Sequence, residues 1–237
     1  MNNKLAIILI IFFQFLFLNK IFSKEIQFNA NEIEVSDGGN ETIAKNGTAF
    51  IQKDKITVTG KRIKYIKNKS LLIIDEGKIQ KIDDNLEINS KVIEYNIDQS
   101  NLYFKNDVRI NDIANNIKIS TDEIDYNLEK QKIESSSNSE IKDSFGNIYR
   151  VSRFEYNLKS KVVKLSNLEV LDASENIFKI EIAFLDLKKK ELVAKDVGLN
   201  FKISDNSENE PRLKGRSLIS NNDNTIVKKG TFTFCKK

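Results

Sequence analysis

The chain has 237 residues, of which 40% are hydrophobic and 30% charged, with one Pro, nine Gly, one Cys, no Trp and no His. The absent histidine excludes Ser-His-Asp and Cys-His nucleophilic sites, His-ligated zinc and iron centres and a histidine pH switch. Collagen-like and Pro/Gly-rich low complexity are excluded too, and the apolar share suffices for a packed core. Ile, Lys and Asn supply 33, 32 and 28 residues, a skew spread evenly along the chain, so single Lys or Asn positions carry little functional weight.

The chain opens with one positive side chain in Met1–Lys4, a 14-residue run Leu5–Leu18 broken only by Gln14, and Ile21-Phe22-Ser23 before polar sequence begins at Lys24. This is the charged, apolar and small-residue order of a secretory signal peptide, expected over 1–23. The run is shorter than the roughly 20 residues that span a bilayer. Its removal takes Lys4 and Lys20 and no acid, lowering the formal charge from +4 to +2. That balance offers no basic face for nucleic acid. The densest basic cluster, Lys188-Lys189-Lys190, reads as a solvated turn. Three Asn-x-Ser/Thr matches, at Asn40, Asn46 and Asn68, are what chance gives in an Asn-rich chain.

After residue 23 the signal is short alternating segments rich in Ile, Val, Phe and Tyr between polar turns, the mark of half-buried strands. The strands repeat. Residues 85–96, ending Ile93-Glu-Tyr-Asn96, align without a gap to 116–127, ending Ile124-Asp-Tyr-Asn127, and with one deletion to 147–157; an earlier copy is 55–65. Tyr65, Tyr95, Tyr126 and Tyr156 are 30, 31 and 30 residues apart, with Val35 and Leu185 in the same phase at either end. The predicted fold is all-β: an elongated antiparallel structure of about six two-strand units, 26–54, 55–84, 85–115, 116–146, 147–175 and 176–205, with turns alternating between two ends. Strands of ordinary length would be bent or split within each half, at Ser90 and at Asn106-Asp107 in the third unit.

Before each turn a pair points one way, and stacking lines these residues into a ladder. Its members are Ile63, Tyr65, Ile93, Tyr95, Ile124, Tyr126, Phe154 and Tyr156, joined by Ile88 and Ile119 from the preceding strand halves. The product is a two-walled structure with a continuous apolar interior. Periodicity alone favours a plain core over a binding groove, since any sheet needs an apolar face.

No catalytic constellation stands beside this ladder. The carboxylates Asp75-Glu76, Asp83-Asp84 and Asp122-Glu123-Asp125 fall in turns or outward positions, and no phosphate loop, nucleophile elbow or metal-ligand spacing occurs. An enzyme, a cofactor and a metal site are therefore not expected. Cys235, followed only by Lys236 and Lys237, reads as a reactive thiol or as half of a disulfide. Residues 206–217, with the only proline at Pro211, read as a linker after a 24–205 domain, and 218–237 as the start of a further segment that breaks off.

Phe28-Asn-Ala-Asn-Glu-Ile-Glu-Val35, Ala44-Lys-Asn-Gly-Thr-Ala-Phe-Ile51 and the recurring Ile-x-Tyr-Asn units resemble the organic-solvent-tolerance-protein-like (OstA-like) β-jellyroll of the lipopolysaccharide transport system. Asn31 replaces the usual Asp, and Gly47-Thr-Ala49 the usual Gly-Asn-Val. The tail Gly215–Ser220 with Lys228–Cys235 is similar to the region between jellyroll and barrel in the outer-membrane lipopolysaccharide-assembly proteins. The resemblance implies a periplasmic, outer-membrane-associated domain whose walls hold lipid acyl chains and whose ladder residues line the groove. It implies end-to-end strand pairing with other jellyrolls, a barrel and its lipoprotein plug as partners, and a disulfide role for Cys235. The alternatives are a stand-alone bridge protein of the same fold, a ligand-free exported β scaffold or adhesin, and a carbohydrate-active β-helix, disfavoured because its turns would not alternate.

Overall fold

A computed structural model describes residues 26–81, 85–143, 146–171, 177–200, 211–221 and 224–234. The signal peptide expected at 1–23, residues 206–210 of the expected linker and Cys235 lie outside the described residues. Seventeen strands form one antiparallel sheet. They are β1 (Ile26–Ser36), β2 (Glu41–Ile51), β3 (Ile56–Ile66), β4 (Leu71–Lys81), β5 (Leu86–Asn96), β6 (Asn101–Asp112) and β7 (Ile117–Asn127). Then come β8 (Lys132–Ser135), β9 (Ser139–Lys142), β10 (Ile148–Val151), β11 (Arg153–Asn157), β12 (Val162–Leu171), β13 (Ile177–Asp186) and β14 (Glu191–Asn200). The last three are β15 (Arg212–Ser220), β16 (Thr225–Lys228) and β17 (Thr231–Thr233).

The short strands are halves of longer ones. β8 and β9 both pair with β7, β10 and β11 with β12, and β16 and β17 with β15. The sheet is thus a stack of two-strand units, with every boundary where the periodicity places it. It contains one unit more than the sequence predicts. Residues 212–217, expected as linker, belong to β15, which pairs along β14 from Asn200↔Arg212 to Leu192↔Ser220. Their polar composition hid a strand whose outward positions are Lys, Arg and Ser.

Each strand bends at its middle, and the bend makes the fold. In β5 the inward residues are Leu86, Ile88 and Ser90, then Ile93 and Tyr95. Within each half they step by two, and across the bend by three. A flat strand would send these two sets to opposite faces; the bend brings both inside. β3, β7, β12, β13 and β14 show the same slip. Left-handed backbone recurs at the bend of alternate strand passes, the β8–β9 pass excepted, at Asn46, Glu76, Asn106 with Asp107, Asn167, Asp196 and Lys229, with φ between 46° and 63°. Asn and Asp tolerate that region best among residues with a Cβ, and the position repeats about every thirty residues. Asn106 and Asp107 sit in a bulge, two residues opposing the single Asp122 between Lys105↔Glu123 and Val108↔Thr121, as the sequence predicts.

Small residues sit inside the corner in several strands, Gly60 in β3, Gly77 in β4 and Ser90 in β5. A Cβ on Gly60 would lie 2.4 Å from Ile74 Cγ2, and one on Gly77 2.6 Å from Ile74 Cγ2 and 2.8 Å from Ile93 Cδ1. Where a hydroxyl replaces Gly it is satisfied: Ser90 Oγ accepts the Val92 N–H at 3.1 Å, and Ser139 Oγ donates to Thr121 Oγ1 at 2.9 Å.

One row of turns is hydrogen-bonded along the stack. The N–H groups of Lys67, Ile97, Leu128, Leu158 and Leu187 donate to the carbonyls of Asn40, Ser70, Ser100, Gln131 and Lys161. The Asn after each tyrosine shapes its turn: Asn96, Asn127 and Asn157 accept the N–H three residues on, at 3.0, 2.8 and 2.8 Å. Outside the walls, cross-strand ion pairs such as Lys64–Glu41 (2.8 Å) and Lys105–Glu94 (3.0 Å) keep the intervening charges in water.

The corner is testable. Gly77→Val should lower stability by about 1–3 kcal/mol, because Ile74 and Ile93 are fully buried and cannot give way. Gly198→Ala, whose Cβ would meet only Lys179 O at 3.9 Å, should be close to neutral in the same urea titration.

Candidate functional site

The bends divide the sheet into two facing walls. Nine of the ten ladder residues, Ile63, Ile88, Ile93, Tyr95, Ile119, Ile124, Tyr126, Phe154 and Tyr156, are at most 1% exposed within one core. Tyr65 is half-buried, its ring centroid 6.5 Å from that of Phe28. These residues therefore share the interior between the walls, and along these units they are packed shut.

Hydrogen bonds hold the walls together along the side opposite the corner. The Tyr95 hydroxyl donates to Asp54, which also accepts Ser100 Oγ at 2.9 Å. Lys53 Nζ donates to Ile97 O, Asp98 O and Ser100 Oγ at 2.7, 3.1 and 2.8 Å. Further along, the Tyr156 hydroxyl donates to Asp112 Oδ2 at 2.5 Å, and Asn115 Nδ2 reaches Tyr156 Oη at 3.3 Å. In each clasp a carboxylate at one wall's edge takes a tyrosine of the other, 41 or 44 residues later. The sequence shows both partners, but their pairing follows from the stagger between walls, which periodicity does not reveal.

The clasp lapses one unit later. Leu185 stands in the tyrosine's phase and has no hydroxyl. Asp143, the corresponding carboxylate, instead accepts Tyr149 Oη at 2.8 Å from its own wall, together with Asn147 N–H at 3.0 Å. Here the described residues enclose a cavity of about 530 Å³ between the walls. Ile117, Tyr149, Val170 and Phe178 line it from one wall, and Leu185, Leu187, Leu192 and Leu218 from the other. Asn115, Asp143, Asn147, Asp186, Lys190 and Asn221 form a polar rim. None of the ten expected lining residues is among its walls. The lining continues their inward phase into the later units, beyond the recurring tyrosine motif.

Both outer edges of the sheet are unpaired among the described residues. β1 pairs only with β2, and β16 and β17 only with β15. Large apolar side chains are exposed at both: Ile33 and Val35 on β1, and Ile226, Phe232 and Phe234 at the other end, where the two Phe rings meet edge to face at 4.8 Å.

The chain is thus a two-walled, closed-cornered β-jellyroll with an apolar cavity open at a polar rim. The profile of the family described as "Lipopolysaccharide-assembly, LptC-related" matches residues 5–168, and the chain belongs to that family. Among solved structures it resembles LptH, the LptA-homologous periplasmic component of the conserved lipopolysaccharide transport device from Pseudomonas aeruginosa. Identity is 11% over 60% of this chain and 82% of that one, with a TM-score of 0.26, a loose superposition. A search among curated protein sequences finds no match.

The clasp has a pH signature. Burial above all, then the hydrogen bond and charge of Asp54, raises the Tyr95 phenol well above its ordinary 10.0, and burial with Asp143 raises Tyr149 similarly. Both phenols keep their protons in the folded chain and lose them on unfolding. Their stabilisation is therefore complete below pH 10 and falls above it, by about 1.4 kcal/mol per pH unit for each phenol. Urea midpoints measured upward from pH 10 should fall less steeply for Tyr95→Phe than for the parent chain.

Proposed function

We propose that the chain binds and conducts lipopolysaccharide in the periplasm, sheltering acyl chains between its walls. The cavity carries this reading: an apolar lining open at a polar rim, in a chain of the lipopolysaccharide-assembly family. An acyl chain of about a dozen carbons taken bare through water would cost on the order of 8–10 kcal/mol at about 0.8 kcal/mol per methylene, so a carrier must replace that water with apolar side chains. Binding of this kind needs no bond chemistry. The chain enters at the cavity, and the ten ladder residues become its path when the Tyr95–Asp54 and Tyr156–Asp112 clasps open.

The free edges and their exposed apolar residues support end-to-end docking by strand addition to other jellyrolls of the transport system. Export through a 1–23 signal peptide belongs to the same reading. Two placements follow: the amino-terminal jellyroll of an outer-membrane assembly protein with its barrel and lipoprotein plug, or a stand-alone bridge. Residues 212–233, which resembled the segment between jellyroll and barrel, are a further unit of the same sheet, so that tail supports neither placement over the other.

A photo-crosslinking amino acid at Phe178 should capture lipopolysaccharide in cells, and one at the neighbouring outward Lys179 should not. Equal capture at the two positions would sink the cavity assignment.

A further inference from the structure

The turn joining β13 to β14 is Leu187-Lys188-Lys189-Lys190, and Asp186 and Lys190 stand on the cavity rim. The Leu187 N–H donates to Lys161 O at 2.9 Å, so the preceding turn, Leu158–Lys161, stacks against it and adds Lys159 and Lys161. Lys159, Lys188, Lys189 and Lys190 are exposed. The acids beside them are engaged with the protein. Asp186 Oδ1 accepts the N–H groups of Lys188 and Lys189, both at 3.0 Å, and its other oxygen lies 3.8 Å from Lys189 Nζ. Asp143 accepts Tyr149 Oη, Asn147 N–H and Asn147 Nδ2. With Glu191 included, five ammonium groups stand beside three carboxylates among the described residues.

The even spread of lysine along the sequence makes such turns ordinary, but their arrangement along this row is not even. The equivalent turns 37–40 and 97–100 carry no lysine, 67–70 carries two, and 128–131 sets Lys130 beside Glu129. Lysine density peaks where the walls part. An apolar cavity with a cationic lip is complementary to an amphiphile with apolar tails and an anionic head, and lysine ammonium groups serve phosphate as mobile point charges.

We infer that the stacked turns 158–161 and 187–190 form a headgroup site for a phosphate-bearing amphiphile whose acyl chains occupy the cavity. This site rests on the acyl-chain reading above and gives it an orientation: tails toward Phe178 and Leu218, phosphate at the lysine lip.

The test compares two lipids with identical tails, dioctanoyl phosphatidic acid and dioctanoylglycerol, each titrated below its micelle concentration into the full chain at low salt. The parent chain should bind the phosphatidic acid about tenfold more tightly, the modest gain expected of a few solvent-exposed ion pairs. Lys188→Gln, Lys189→Gln and Lys190→Gln together should abolish that preference. Equal affinity of the parent for the two lipids would overturn the headgroup site and leave the acyl cavity standing. So would a preference that survives in the triple variant and after adding Lys159→Gln and Lys161→Gln. Failure of both lipids to bind would overturn the acyl-chain reading, and the headgroup site with it.

Discussion

Everything in this molecule follows from one register constraint at the corner. Apolar residues alternate by two within each strand half and skip three across its middle, so the strand must fold over for both halves to bury their side chains. Two devices recur there: a small residue inside the corner of several strands, such as Gly60, Gly77 or Ser90, and a left-handed residue such as Asn106 on most alternate passes. With the corner fixed, one sheet becomes two walls, and the space between them is the only place the apolar residues can go.

The walls then need something to hold their far edges. Tyrosine hydroxyls and aspartates supply it, and their geometry explains why the interior is closed in one stretch and open in another. A hydroxyl in phase with a carboxylate across the gap pulls the edges together, and the tyrosine rings fill the interior beneath. Leucine at position 185 fills without clasping. The carboxylate of Asp143 turns to its own wall, and a cavity remains. Parting the clasped edges breaks a few side-chain hydrogen bonds. Opening the corner would expose the whole core. The jellyroll is therefore built to part on one side only.

Much of this was legible in the sequence. The thirty-residue period gave the unit boundaries, because each unit must bury the same face against its neighbours. Ser90 and Asn106-Asp107 marked their bends, because polar, turn-forming residues that interrupt an alternating apolar run fit best where the strand bends or bulges. Three things were hidden. The partners Asp54 and Tyr95 are joined by a stagger that depends on the twist of the whole sheet. β15 looked like a linker because its outward residues are Lys, Arg and Ser and its alternation is weak. Whether the ladder is core or groove was hidden as well: a packed core and an open channel require the same inward pattern, and the groove reading came from the family resemblance.

The central claim is that acyl chains lie between the walls where the clasp lapses. It is tested most directly by methyl NMR of the full chain with a lipid carrying a nitroxide on its acyl chain. Resonances of Val170, Leu185, Leu192 and Leu218 should broaden at the lowest lipid concentrations, with those of the outward Val193 and the edge residue Ile226 unaffected. Broadening confined to Val193 and Ile226, with the inner methyl groups sharp, would place the lipid outside the walls and contradict the account.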